Sequence, residues 1–276
     1  MKRSKFIFFW TLIFLLTIEN VFSQDLKSIL TINNSIPSYK LKKEINVEVV
    51  DHKYFKLGYS EKHEVAGWVA YLLTKDMVIN QKSGRKNRFK EDKKVSTGSA
   101  SVSDYKYSGY DKGHICPNAD MSFSQEAQNL TFLMSNMAPQ IHSFNAGKWK
   151  ELETKVREWA IENDSIIIIS GSLFDSIITT IGKKNKVSVP YRFYKVIIDI
   201  SYPTYKAIGF VLENEKLNED LYNYSMSLSD LETFTGMIFF SDFNQKESIK
   251  NLKYNCSIRD WEQKNLKQKN KLKHEN

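Results

Sequence analysis

The chain has 276 residues, 41% of them hydrophobic and 26% charged, with 40 Lys and Arg against 32 Asp and Glu for a formal net charge of +8. This is ordinary globular composition, which excludes a chain too short or too polar to bury a real core. The basic balance favours polyanionic partners such as nucleic acid, but an excess of lysine is also a common solvated exterior.

Lys2, Arg3 and Lys5 precede an apolar run from Phe6 to Ile18, and Ser23 stands before Gln24. The pattern is that of a secretory signal peptide over residues 1–23, its apolar run shorter than the roughly 20 residues of a spanning helix. Cleavage removes three positive charges and Glu19, leaving +6 on an exported, periplasmic or secreted chain. Residues 24–48 form a polar lead-in, residues 49–256 a single domain and residues 257–276 a basic, solvated tail. Only two cysteines occur, Cys116 and Cys256. In an oxidising compartment they can bridge; two separate thiols, or a metal site with His114, are the alternatives.

In chain order, Tyr54–Ser60 and Ala66–Thr74 are predicted as a hairpin of strands. Asn80–Ser108, rich in Lys, Ser and Gly, reads as a long loop. Ser124 is a candidate helix cap, and the stretch ending in Pro139 and Gln140 is strand-like. From Asn145, apolar residues at Trp149, Leu152, Val156, Trp159 and Ala160 recur at spacings of three and four, which predicts a helix ending near Asn163. Ser165–Phe174, Val187–Ile200 and Lys206–Leu212 are β-branched and aromatic runs, predicted as buried strands. A short capped helix over Ser227–Gly236 and a brief strand at Met237–Phe240 follow.

The chemistry concentrates around His114, which follows Gly113 and precedes Pro117. An imidazole with a pKa near neutrality can take a proton from water, although a lone histidine is more often structural. Asn145 and Glu153 are eight residues apart, which on a regular helix separates them by roughly 12 Å and about 80°. They cannot both grip one ion directly, but Mg²⁺, which keeps most of its waters, can take one as ligand and the other as an outer partner. Read alone, Asn136 and Asn145 are equally a turn residue and a helix cap.

The stretch DKGHICPNADM (Asp111–Met121) resembles the D-R-G-H signature of the DNA/RNA non-specific endonucleases of the ββα-metal superfamily. TFLMSNMAPQ (Thr131–Gln140) and NAGKWKELE (Asn145–Glu153) are similar to that family's next two blocks, and the resemblance runs from about Tyr54 to Phe240. It implies an α+β fold, a mixed and largely antiparallel sheet flanked by helices with a ββα-metal motif. It also implies hydrolysis of DNA and RNA with one Mg²⁺, or Mn²⁺ or another divalent cation in its place, leaving 5′-phosphate ends. His114 is then the general base, Asn145 the metal ligand, Asn136 a brace and Glu153 the outer carboxylate. Lys112 stands where the family has arginine, which weakens a bidentate phosphate contact. Arg85 and Arg88 both precede Phe89 and Asp92; spacing favours Arg85 as the transition-state arginine, with Arg88 as a substrate contact. Two competing readings are a nucleic-acid-binding protein of the same fold with weak turnover, and a zinc hydrolase using His114, His142 and the cysteines.

Overall fold

Isoleucine alternation decides how the main sheet is buried: Ile166 and Ile168 sit in one apolar cluster, Ile167 and Ile169 in another on the opposite face. The computed structural model describes residues 31–39, 46–82, 84, 88–201, 205–254 and 261. The expected signal peptide, Arg85, Cys256 and all of the basic tail except Trp261 lie outside the described residues.

The strands are β1 (Ser38–Tyr39), β2 (Glu48–Asp51), β3 (Lys56–Ser60), β4 (Val65–Thr74), β5 (Asp111–His114), β6 (Met137–Gln140), β7 (Ser165–Ile181), β8 (Val187–Asp199), β9 (Lys206–Glu213), β10 (Ser225–Met226) and β11 (Met237–Ile238). Seven of them form one sheet in the order β10-β9-β8-β7-β4-β3-β2, with every neighbouring pair antiparallel. Both faces are covered, so its central strands read as continuous apolar runs. On one side lies the helix Lys150–Asn163, which buries Leu152, Val156, Trp159 and Ala160. On the other, Leu228 and Leu231 of the helix Leu228–Thr235 and Ile249 and Leu252 of the helix Glu247–Tyr254 join the second cluster. The α+β architecture expected above, an antiparallel sheet flanked by helices, is therefore the observed one.

Local signals worked where a cap or turn was encoded. Ser124 Oγ accepts the Ala127 amide to start the helix Gln125–Leu130, and Ser227 caps the helix that Gly236 ends in the left-handed conformation. Five expectations need correction. The helix expected from Asn145 is regular only from Lys150, because Gly147 (φ −101°, ψ −113°) breaks it. β7 continues past Phe174 to Ile181, where its own residues are largely exposed but Ile181 and the paired Val187 and Val189 of β8 are buried. The strand expected from Thr131 is confined to β6, and that expected at Met237–Phe240 to β11, paired with β1. Trp261, expected in a solvated tail, is buried with its ring centroid 5.0 Å from that of Trp159.

The long polar loop before β5 is tied down by a buried network. Asp92 Oδ2 lies 2.7 Å from His52 Nε2 and accepts Ser135 Oγ at 2.6 Å, while Lys90 exchanges backbone hydrogen bonds with Phe132 and Met134. Burial would raise the Asp92 carboxyl, but the bonds from His52 and Ser135 outweigh it and hold the group below the usual carboxylate range. The carboxylate thus fastens the arginine-bearing loop to the β2–β3 turn and to the segment before β6.

Candidate active site

β5 and β6 pair as a separate two-stranded sheet, Asp111 opposite Gln140, Gly113 opposite Ala138 and His114 opposite Met137. With the helical segment that follows they form a β-β-α unit. Gly113 is required by a close approach: a Cβ there would collide with the buried side chain of Gln140. Gly113→Ala should therefore cost about 1–3 kcal/mol through overpacking. Urea unfolding checks this, as a lower midpoint with an unchanged slope.

His114 ends β5, half-buried between aromatic rings. Its centroid is 5.2 Å from Phe132, edge-on, and 5.9 Å from Phe89. The backbone around it is fixed from two directions. Trp149 Nε1 donates to the His114 carbonyl at 3.3 Å. Asn136, fully buried, accepts the Cys116 amide through Oδ1 at 2.9 Å and donates through Nδ2 to the carbonyls of Cys116 and Thr131. Asn136 is thus a structural clamp on the residues after the histidine.

Asn145 lies in the kinked segment, N-terminal to the regular helix. Its Nδ2 donates to Asp111 Oδ2 at 2.9 Å, and that oxygen also lies 2.8 Å from Nδ1 of the exposed His142. A carboxylate only accepts, so the amide nitrogen must face Asp111 and the carbonyl oxygen is what Asn145 presents elsewhere. Asn145 at one end and Trp149 at the other hold the kinked segment alongside β5. Asp111 had not been singled out as a site residue, although it opens the motif.

Glu153 is half-buried on the helix Lys150–Asn163, within the electrostatic reach of Asp120, Arg157 and Lys195. Arg157 Nη1 donates to the buried Asp120 at 2.9 Å, and Tyr71 donates its hydroxyl to the other carboxylate oxygen at 2.8 Å. Lys195 is fully buried on β8, its ammonium 3.0 Å from Ser170 Oγ and 4.5 Å from the centre of the Trp149 ring. Asp120, Tyr71, Arg157 and Lys195 are not among the expected site residues, although Arg157, four residues after Glu153, shares its helix face. Burial pushes the Glu153 carboxyl up to about 7, against the pull of Lys195 and with the push of Asp120. Because the folded pKa exceeds the unfolded one, the folded state holds the extra proton between about pH 4.5 and about pH 7 and loses stability as pH rises through that window. In metal-free protein, the melting temperature of Glu153→Gln should gain on that of the wild type from about pH 5 to about pH 7.5, as calorimetry would register.

The remaining candidates are less embedded. The Lys112 ammonium lies 5.0 Å from the Phe89 ring centre and 6.0 Å from that of Tyr105. Arg88 is exposed beside Phe89, and Arg85 lies outside the described residues. Cys116 is a free buried thiol, pushed well up by burial and so a poor metal ligand. Among the described residues no group of three or more His, Cys, Asp or Glu could hold a metal, so the zinc arrangement with His142 finds no support there. A neutral amide oxygen backed by a carboxylate suits a hard cation that keeps most of its waters.

The family model for DNA/RNA non-specific endonucleases matches residues 32–246. The chain is 33% identical over 219 residues to the mitochondrial nuclease EXOG of Mus musculus, covering 73% of this chain and 58% of that protein. It is 32% identical over 211 residues to a nuclease of Nostoc sp., covering 71% and 74%. The chain spans about three fifths of the length of the EXOG relatives from zebrafish, mouse and human. Among solved structures, a chain in the crystal structure of the EndoG/EndoGI complex is similar at 25% identity and a TM-score of 0.68, covering 80% of this chain and 94% of that one.

Proposed function

The chain belongs to the DNA/RNA non-specific endonuclease family, and from that premise we propose that it hydrolyses phosphodiester bonds of DNA and RNA with a divalent cation, Mg²⁺ foremost. The observation that carries the reading is the β5–β6–helix unit, in which the strand bearing His114 is tied to Asn145 through Asp111 and to Trp149 through its own carbonyl. Asn145 and, through outer contacts, Glu153 would hold the cation. When bound, it supplies positive charge against the charge that builds on the phosphate and leaving oxygens.

His114, neutral, takes a proton from a water molecule as that water's oxygen bonds to phosphorus. The bond from phosphorus to the 3′-oxygen breaks in line, and the departing oxygen is protonated from solvent. The products carry 5′-phosphate ends, and because the nucleophile is water, not a ribose 2′-hydroxyl, both nucleic acids are substrates. An arginine of the loop before Phe89, Arg85 by preference over Arg88, adds charge at the phosphate. Lys112 contacts the backbone as a point charge, more weakly than an arginine fork. Contacts made to phosphate and sugar position the strand without reading bases, so binding weakens as salt rises.

The charged and then apolar N-terminus supports export, to the periplasm or beyond the cell. Purified protein should nick and linearise supercoiled DNA and degrade RNA, stop in EDTA and resume with Mg²⁺. DNA retardation without cleavage at any cation concentration would favour the binding-protein reading, and resumption with Zn²⁺ alone would overturn the choice of metal.

A further inference from the structure

Resting on the nuclease reading above, we infer that the Tyr107 ring is a stacking platform for an unpaired base of the substrate strand. Tyr107 sits in the turn between Tyr105 and Tyr110, directly ahead of β5. Its φ is 57°, in the left-handed region that a bulky L-residue rarely adopts. Packing does not offset that strain, because Tyr107 is 94% exposed.

The turn that displays the ring is held firmly. The Ser108 hydroxyl donates to the Tyr105 carbonyl at 2.9 Å and accepts the Tyr110 amide at 3.1 Å. Tyr105 itself is buried. One residue earlier, the buried Asp104 accepts the Ser101 amide at 2.8 Å and the Asn185 side chain, from the β7–β8 turn, at 2.6 Å. On such a support only the ring's own rotamers, and not the backbone, lose freedom when the ring is covered, which favours binding.

Its surroundings suit a nucleic acid. The Lys106 ammonium lies 5.0 Å from the Tyr107 ring centre, joining a cation to an aromatic face. From the turn, contacts lead to the site: the Lys112 ammonium spans the rings of Tyr105 and Phe89, and Phe89 touches His114. The Cα atoms of Tyr105 and Tyr107 are at most about 7 Å apart, so the turn that carries the platform adjoins that row. Aromatic faces flanked by positive charge bind single strands with little sequence preference, since every base has a π-face. A paired base is already stacked within its duplex, so the benefit falls on unpaired strands.

The test compares wild type, Tyr107→Asn, which tolerates the left-handed backbone but lacks the ring, and Tyr107→Trp, which keeps one. On a single-stranded oligonucleotide, Tyr107→Asn should raise KM roughly 5- to 10-fold with kcat unchanged, and Tyr107→Trp should stay near wild type. The same sequence as a duplex should show a smaller shift. In EDTA, the single strand should quench the fluorescence of Tyr107→Trp more than that of wild type, a readout that needs no cleavage. Wild-type KM for Tyr107→Asn on the single strand, or no added quenching in Tyr107→Trp, overturns the inference. A wild-type protein that cleaves neither substrate overturns the nuclease reading instead, and the quenching still judges the platform.

Discussion

His114→Ala should slow phosphodiester cleavage by roughly 10²–10⁴-fold, the usual contribution of a positioned general base, while leaving DNA binding and folding nearly intact. Folding survives because the scaffold grips the backbone of residue 114. β5 pairs with β6, Trp149 bonds the carbonyl, and Asn136 clamps the following cysteine. What the variant loses in packing is an imidazole lying against Phe89 and Phe132. That gap gives a second handle. Imidazole added to the buffer can occupy it, so partial recovery of rate with added imidazole, and none in an Asn145→Ala control, would tie the loss to proton transfer. Single-turnover cleavage within tenfold of wild type would remove His114 from the role of base.

The parts of this molecule that were legible in the sequence are those in which neighbours along the chain decide the outcome. The alternating isoleucines of β7 and the serines at positions 124 and 227 act on residues two or three places away. The kink at Gly147 is not visible in the sequence because the apolar spacing begins only at Trp149, and nothing in Asn145 to Lys148 distinguishes a regular first turn from a broken one. Contacts that join distant segments left no local trace. His52, Asp92 and Ser135 meet from positions 40 or more residues apart, and Trp261 reaches Trp159 from a stretch that otherwise reads as a solvated tail.

Lys195 is an intermediate case. A lysine inside an apolar strand is visible as an oddity in the sequence, but its meaning depends on Glu153 and Asp120, which arrive from other elements. Burial drives the Lys195 pKa down, and those two carboxyl groups act to hold its charge. The candidate site was readable for a related reason. Its motif residues are packed into a short sequence, and only the supporting charges come from afar.

Asn145→Ala should lower cleavage at limiting Mg²⁺ by about 100-fold or more, part of it recovered at high cation, because losing even an outer partner of a metal typically costs 10–100-fold. Stability should fall by no more than about 1.5–3 kcal/mol, since the residue is half-buried and gives up a single charge-assisted hydrogen bond. Two measurements separate a ligand from a mere spacer: the Mg²⁺ dependence of the rate, and calorimetric Mg²⁺ binding without substrate. A half-saturating concentration equal to that of wild type in both would exclude Asn145 as ligand. The chemistry of the pair argues for an amide at this position. Asp111 lies within hydrogen-bond distance, so a second carboxylate at 145 would set two like charges against each other and raise the pKa of one of them. The asparagine offers a hard oxygen without that repulsion, and its nitrogen keeps Asp111 oriented behind it. Asn145→Asp should therefore fail to restore wild-type activity near neutral pH and improve as pH rises, whereas Asn145→Ala should show no such recovery.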